Sequence, residues 1–234
     1  MVTEISARPA GRRVNRELLR LSPFFTGLDD AILEKIERLM VARSVEKHEI
    51  IWLEQAPARM IYFVASGLIK LFKTSTGGKE QILRLVRPAD FFGHAGVLNG
   101  GHNPESAQAM TPSVLYGLAS PDLKTLIGEN NQLARNTIKL LATEMHHYMS
   151  LVEDLSLRCV SGRLAKMLLA NSHRSISDGP LTLTRADMAA MTGTVREVIG
   201  KSLKALEDKG IIHFDRHKIV IRDREALKSI MRSV

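Results

Sequence analysis

The sequence predicts an α+β chain: an all-β sandwich or barrel, then a long helix, then a winged helix-turn-helix. Three observations carry this. Short apolar runs separated by turn residues fill positions 43–118. A heptad-spaced apolar stripe follows from Ala134 to Cys159. Two short capped helices around a Gly turn, then a hairpin pattern, close the chain.

The elements follow in order. Residues 1–20 carry five Arg against two Glu, with Pro9 and Gly11, and read as a flexible basic arm that turns helical near Leu18. Ser22-Pro23-Phe24-Phe25 through Asp30 is a turn-rich entry to a helix with Ile32, Ile36 and Leu39 on one face. The strand runs are 49–53, 60–64, 68–72, 81–86 and 113–118, and Gly77-Gly78 reads as a hairpin tip. Ser120-Pro121-Asp122 reads as a helix start with Ser as N-cap.

In the long helix that follows, Ala134, Ile138, Leu141, Met145, Tyr148, Val152, Leu155 and Cys159 recur at spacings of four and three. Lys139, Thr143, Glu144, His146, His147 and Asp154 flank this stripe. A narrow apolar seam of this kind fits a helix that pairs with its copy in a homodimer. Cys159 is placed on that seam as a packed side chain.

Thr184-Arg185-Ala186-Asp187 is a capping-box pattern opening a helix to Met191. Thr192-Gly193 is a tight turn, and Thr194-Val195-Arg196-Glu197 reads as a second capping box opening a helix to about Lys209. Val195, Val198, Ile199, Leu203 and Leu206 are expected inside, with Arg196, Glu197, Lys201 and Lys204 outside. A strand at Leu181–Leu183 and a hairpin over 211–222 complete the winged pattern.

The chemistry follows from that geometry. A recognition helix presents its N-terminal residues to base edges in the major groove. Arg196 can grip guanine O6 and N7, Glu197 can accept from the cytosine amino group, and Lys201 can reach a second guanine or a phosphate. Thr194, Thr184 and Lys204 are candidate backbone contacts. Charge agrees: the net charge is +8, with +6 of it in residues 160–234 and −1 in residues 21–159. A basic C-terminal third points to a polyanion.

Composition also excludes. One cysteine permits neither an intrachain disulfide framework nor a four-cysteine iron–sulfur cluster, and points to a reducing cytoplasm. No run approaches the ~18 apolar residues of a membrane span. No P-loop, HExxH or paired nucleophile and base is visible, so an enzyme is not expected. The reading from another class is a ligand-binding β-domain without DNA binding.

From about Leu21 onward the chain resembles the Crp/Fnr family of bacterial transcription regulators. The resemblance rests on Pro23-Phe24-Phe25…Leu28, the glycine-spaced strands, Phe92-Gly93 with Ser106-Ala107, Gly162-Arg163-Leu164-Ala165, and Thr194-Val195-Arg196-Glu197-Val198-Ile199-Gly200-Lys201. It implies a cyclic-nucleotide-binding-like β-roll sensor domain over 21–130. A dimerisation helix over 131–159 and a winged helix-turn-helix DNA-binding domain over 160–234 would follow. It also implies a homodimer on a TGTGA-like palindrome, with RNA polymerase as a partner through the loop His173–Pro180. On the effector side the chain departs from the family. His94 stands where the ribose-binding Glu is usual, Glu105 where the phosphate-binding Arg is usual, and Tyr148-Met149 where the adenine is met. Gly93, His94, Glu105, Ser106, Tyr148 and Met149 are therefore the candidate effector pocket, and cAMP is not the expected ligand. Haem held by His94, His102, His146 or His147, an organic effector, or no effector stay open.

Overall fold

The computed structural model describes residues 14–171, 175–176, 179–180, 183–215 and 218–232. The chain divides into two units, Met1–Phe72 with Arg84–Met145, and Lys73–Leu83 with His146–Val234. No helix among the described residues is long and apolar enough to cross a membrane.

The first unit opens with α1 (Arg16–Arg20), a 3-10 turn at Pro23–Phe25 and α2 (Asp30–Leu39). Each has a side-chain N-cap: Asn15, Ser22 and Asp29. Eight strands follow: β1 (Val41–Val45), β2 (Ile50–Trp52), β3 (Met60–Ser66), β4 (Ile69–Thr74), β5 (Glu80–Val86), β6 (Phe91–Phe92), β7 (Ser106–Ala109) and β8 (Ser113–Ala119). A short helix, α3 (His94–Asn99), interrupts them after β6. Two four-stranded sheets result, ordered β1-β8-β3-β6 and β2-β7-β4-β5. Consecutive strands often fall in different sheets, so the apolar positions of both face one core of Val45, Ile51, Val64, Leu71, Phe92 and Leu115. Trp52 stacks on Tyr62 and Phe92 within it.

The other face of the first sheet is apolar too, because helices cover it. Phe24 and Phe25 wedge against Phe63 and Phe91, and Leu33, Ile36, Leu123, Leu126 and Leu133 close the layer. This is why β3 reads as a continuous apolar run rather than an alternating one.

After β8 come α4 (Ser120–Glu129) and α5 (Asn131–Leu157). The N-cap of α4 is Ala119, so Ser120 and Pro121 are its first two residues and the serine is not the cap. α5 has 27 residues. It stops short of Cys159, which lies beyond the helix end and is exposed rather than packed on a seam.

The second unit continues with α6 (Val160–Asn171), two-residue strands β9 (Ser175–Ile176) and β10 (Gly179–Pro180), α7 (Arg185–Thr192), α8 (Arg196–Asp208), β11 (Ile212–Asp215), β12 (Lys218–Ile221) and α9 (Arg224–Arg232). Its core is Leu164, Ala165, Leu168, Met188, Ile199, Leu203, Leu206, Ile212 and Leu227. β11 and β12 form the antiparallel hairpin read from the sequence. Leu181 and Thr182 of the anticipated strand, residues 1–13 of the arm and the turn Arg216-His217 lie outside the described residues.

Candidate nucleic-acid interface and signal site

The helix-turn-helix is built by local chemistry. The Thr184 hydroxyl accepts from the Asp187 amide at 3.1 Å, and the Asp187 carboxylate accepts from the Thr184 amide at 2.9 Å, so the first capping box forms. α7 then ends at Gly193, whose φ of +68° is left-handed and favours glycine. A Cβ there would also meet a Leu155 side-chain carbon at 2.6 Å. The turn is gripped from two sides. Arg163 on α6 donates to the Thr192 carbonyl at 2.7 Å, and Lys79 donates to the Gly193 carbonyl at 3.2 Å.

The second capping box does not form. α8 begins one residue later than the pattern predicts, with Val195 as N-cap and no side-chain bond there. A valine has no oxygen to offer the free amides of the first turn. Val195 is accordingly 51% exposed, not inside. Ile199, Leu203 and Leu206 are buried as expected, and Val198 is half-buried. With the apolar side fixed inward, helical geometry turns Arg196, Glu197, Lys201 and Lys204 outward, and all four are exposed. Thr194 is half-buried. Thr184 is exposed, its hydroxyl engaged in the cap. Arg196 and Glu197 sit in the first turn of α8, where its unpaired amides and positive dipole end also lie. The arrangement can present donors and an acceptor to a groove while the amides face phosphate.

The signal side is assembled differently. Gly93 caps α3 with φ +85°, and a Cβ there would meet Trp52 at 2.9 Å. Ser106 is buried, its hydroxyl accepting from the Glu54 amide at 2.9 Å. Glu105 is 6% exposed, and its carbonyl accepts from the Trp52 indole at 2.9 Å. His94 is buried, with Nε2 2.5 Å from Glu144 Oε2. Arg84 bonds the other Glu144 oxygen and the Phe91 carbonyl.

Glu144 is thus buried at 8% exposure, not the solvated flank that the heptad pattern implies. Sequence reasoning passed over Arg84 as well. Neither residue carries a local signal, since the three partners are joined only across 50 and 60 positions.

His94 Nε2 is engaged by Glu144, so in this arrangement that nitrogen is not offered to an iron. His102, His146 and His147 are exposed and lie outside this cluster. No group of three His, Cys, Asp or Glu among the described residues is placed to hold a metal ion.

On α5 the exposed large apolar residues are Ile138, Leu141, Met145, Met149, Val152, Leu155 and Leu157. Tyr148 is half-buried, its ring edge-on to His147, so the open stripe runs through Met149 instead. Tyr148 and Met149 therefore differ in exposure. The Cys159 thiol is held below its usual pKa, chiefly by the Ser161 hydroxyl 3.1 Å away and then by the Gly162 amide.

The family model of the cyclic nucleotide-binding domain matches residues 42–130, and that of the Crp-like helix-turn-helix domain matches residues 162–230. The chain is 29% identical over 210 residues to the cyclic AMP receptor protein of Thermus thermophilus, covering 89% of this chain and 96% of that one. It is 28% identical over 207 residues to the anaerobic regulatory protein of Bacillus subtilis, covering 84% and 86%. The structure of FixK2 from Bradyrhizobium japonicum superposes with a TM-score of 0.75 at 25% identity, covering 83% of this chain and 98% of that one. A β-roll, a long helix and a Crp-like helix-turn-helix in this order make the chain a member of the Crp/Fnr family of DNA-binding transcription regulators.

Proposed function

We propose that the chain acts as a homodimer that places two copies of α8 in successive major grooves of a TGTGA-like palindrome, about 34 Å apart. The observation that carries this is the division of α8. Ile199, Leu203 and Leu206 are buried, while Arg196 and Glu197 in the first turn and Lys201 one turn further on stand exposed. Arg196 reads guanine, Glu197 accepts from cytosine, and Lys201 takes a second guanine or a phosphate. Thr184, Thr194 and Lys204 are backbone contacts. The apolar stripe Ile138, Leu141, Met145, Val152 and Leu155 of α5 is the dimer seam, with Met149 joining it. Its exposure supports a partner, because a contiguous open apolar row on a helix is costly in water. RNA polymerase is the further partner expected of such a regulator.

The pocket of the roll is not built for cAMP. Supporting this, His94 replaces an acidic ribose ligand and is tied to Glu144. A buried carboxylate, Glu105, precedes Ser106, where an anionic phosphate needs a cation.

The test is binding of the purified, ligand-free chain to a TGTGA palindrome and to a scrambled duplex at one fixed near-physiological salt concentration, with mass measurement of the free protein. Tight binding to the palindrome alone, by a dimer, supports the reading. Equal, salt-steep binding to both duplexes overturns sequence-specific recognition of this site.

A further inference from the structure

Buried charges are costly unless paired, and a pair drawn from distant elements ties those elements together. In the first unit one carboxylate serves two partners. Glu144 on α5 takes the Arg84 guanidinium of β5 on Oε1 and the His94 imidazole of α3 on Oε2, the latter at 2.5 Å. The side chains of Arg84, Glu144 and His94 are 15%, 11% and 4% exposed. The guanidinium also holds the Phe91 carbonyl of β6. Three strand and helix elements of the roll are therefore fastened to the long helix at one point.

Two nitrogens of this cluster, His94 Nδ1 and Arg84 Nε, are buried without a hydrogen-bond partner among the described residues. Imidazole is the side chain that changes charge near neutral pH in its ordinary state. With His94 neutral, Arg84 is the charged partner of Glu144 in the cluster. With His94 protonated, the contact at Oε2 becomes a charge-assisted bond between full charges, which is shorter and stronger. The same proton puts an unanswered Nδ1–H in the interior, which opposes it.

α3 packs on β3 and α4, and at Gly96 on Ala58 and the backbone carbonyl of His102, whose residue is exposed. β3 offers only Tyr62, and on α4 Asp122 is half-buried while Lys124 and Glu129 are exposed. The remaining buried charged groups of the roll are Glu105, Lys70 and Arg43, the last paired with Glu49 at 2.8 Å.

We propose that the His94–Glu144–Arg84 cluster is the signal-receiving site of the roll, and that its ligand is a proton. Protonation of His94 tightens the tie between α3 and α5, and through α5 it changes affinity for the specific duplex. The last step rests on the DNA-binding reading above; the first does not.

The experiment uses the full chain and His94→Gln, whose amide still donates to Glu144 but does not titrate. Amide hydrogen exchange over residues 93–99 is compared at pH of about 6 and about 8, corrected for intrinsic exchange. Binding to the palindrome relative to scrambled DNA is measured across the same range at fixed salt. The native chain gains several-fold in protection at the lower pH. Its specific-to-scrambled ratio moves several-fold, and both readings are flat in H94Q. Should H94Q not fold, Glu144→Gln removes the charge while keeping an acceptor, and it should abolish the same response. No change in protection in the native chain, or the same change in the variant, overturns the proposal. A protection change with an unchanged specific-to-scrambled ratio overturns the coupling to DNA. A protection change with no specific binding at any pH overturns the DNA reading and leaves the proton site standing.

Discussion

The outer side of α8 and the Glu144 cluster are both polar, but they are made in opposite ways. On α8, Arg196, Glu197, Lys201 and Lys204 are exposed, lie within one short helix, and are held only by the burial of its apolar side. Around Glu144, His94 and the carboxylate are buried and Arg84 is half-buried, Glu144 lies 50 and 60 positions from its partners, and the three are held by one another. The difference teaches where each region stores its free energy. An exposed reader contributes little to folding and keeps its hydrogen-bonding capacity for a ligand. A buried ionic cluster has already used that capacity on itself, so it couples elements and leaves room for no ligand larger than a proton.

Substitutions can break or sharpen this contrast. Removing the shared carboxylate, Glu144→Ala, strands an Arg and a His in the roll. It should cost about 3–5 kcal/mol of stability, measured by denaturant unfolding. An unchanged midpoint would mean the cluster is not holding the roll together. Gly193→Ala comes next. Its left-handed φ alone carries about 1–3 kcal/mol of strain, and the new Cβ presses on Leu155 at 2.6 Å. Thermal unfolding should fall, with specific binding lost alongside it, because this residue sets the entry to α8.

Arg196→Ala should behave in the other manner. Unfolding stays put, and discrimination at one base pair drops by about 1–3 kcal/mol, read by competition with single-base variants of the palindrome. Glu197→Ala should relax a neighbouring position by a similar amount. A uniform loss over all sequences would instead make these residues phosphate contacts. Thr184→Ala removes the capping box and should cost about 1 kcal/mol of stability. The smallest effect belongs to Cys159, whose lowered pKa raises the thiolate fraction at a given pH. Its alkylation rate should therefore rise with pH earlier than that of a free thiol.

Much of the second unit was legible because its rules are local. Thr184 and Asp187 are three residues apart, and their capping box formed as the pattern predicts. Gly193 and Gly210 took the left-handed conformation that ends each helix. The same local reading failed at Thr194–Glu197. A pattern that satisfies the capping-box spacing says nothing about which residue takes the extended backbone, and Val195 took it. The heptad reading of α5 located the open stripe, but it assigned Tyr148 where Met149 is exposed and carried the seam to Cys159, past the helix end. Period alone does not distinguish neighbouring apolar residues, nor does it say where a helix stops.

The sequence by itself determined the succession of strand-rich part, long helix and helix-turn-helix, and the residues that face outward on the second helix of that motif, while β1, β6, β7, α3 and α9 were not read from it. Those features depend on periods of two and 3.6 residues and on caps that act over three or four positions. Only the tertiary structure decided that β5, α3 and α5 converge, so that Glu144 is buried between Arg84 and His94. The reason is physical: whether a carboxylate is solvated or sealed depends on what chain folds over it, and here that chain lies 50 and 60 residues away.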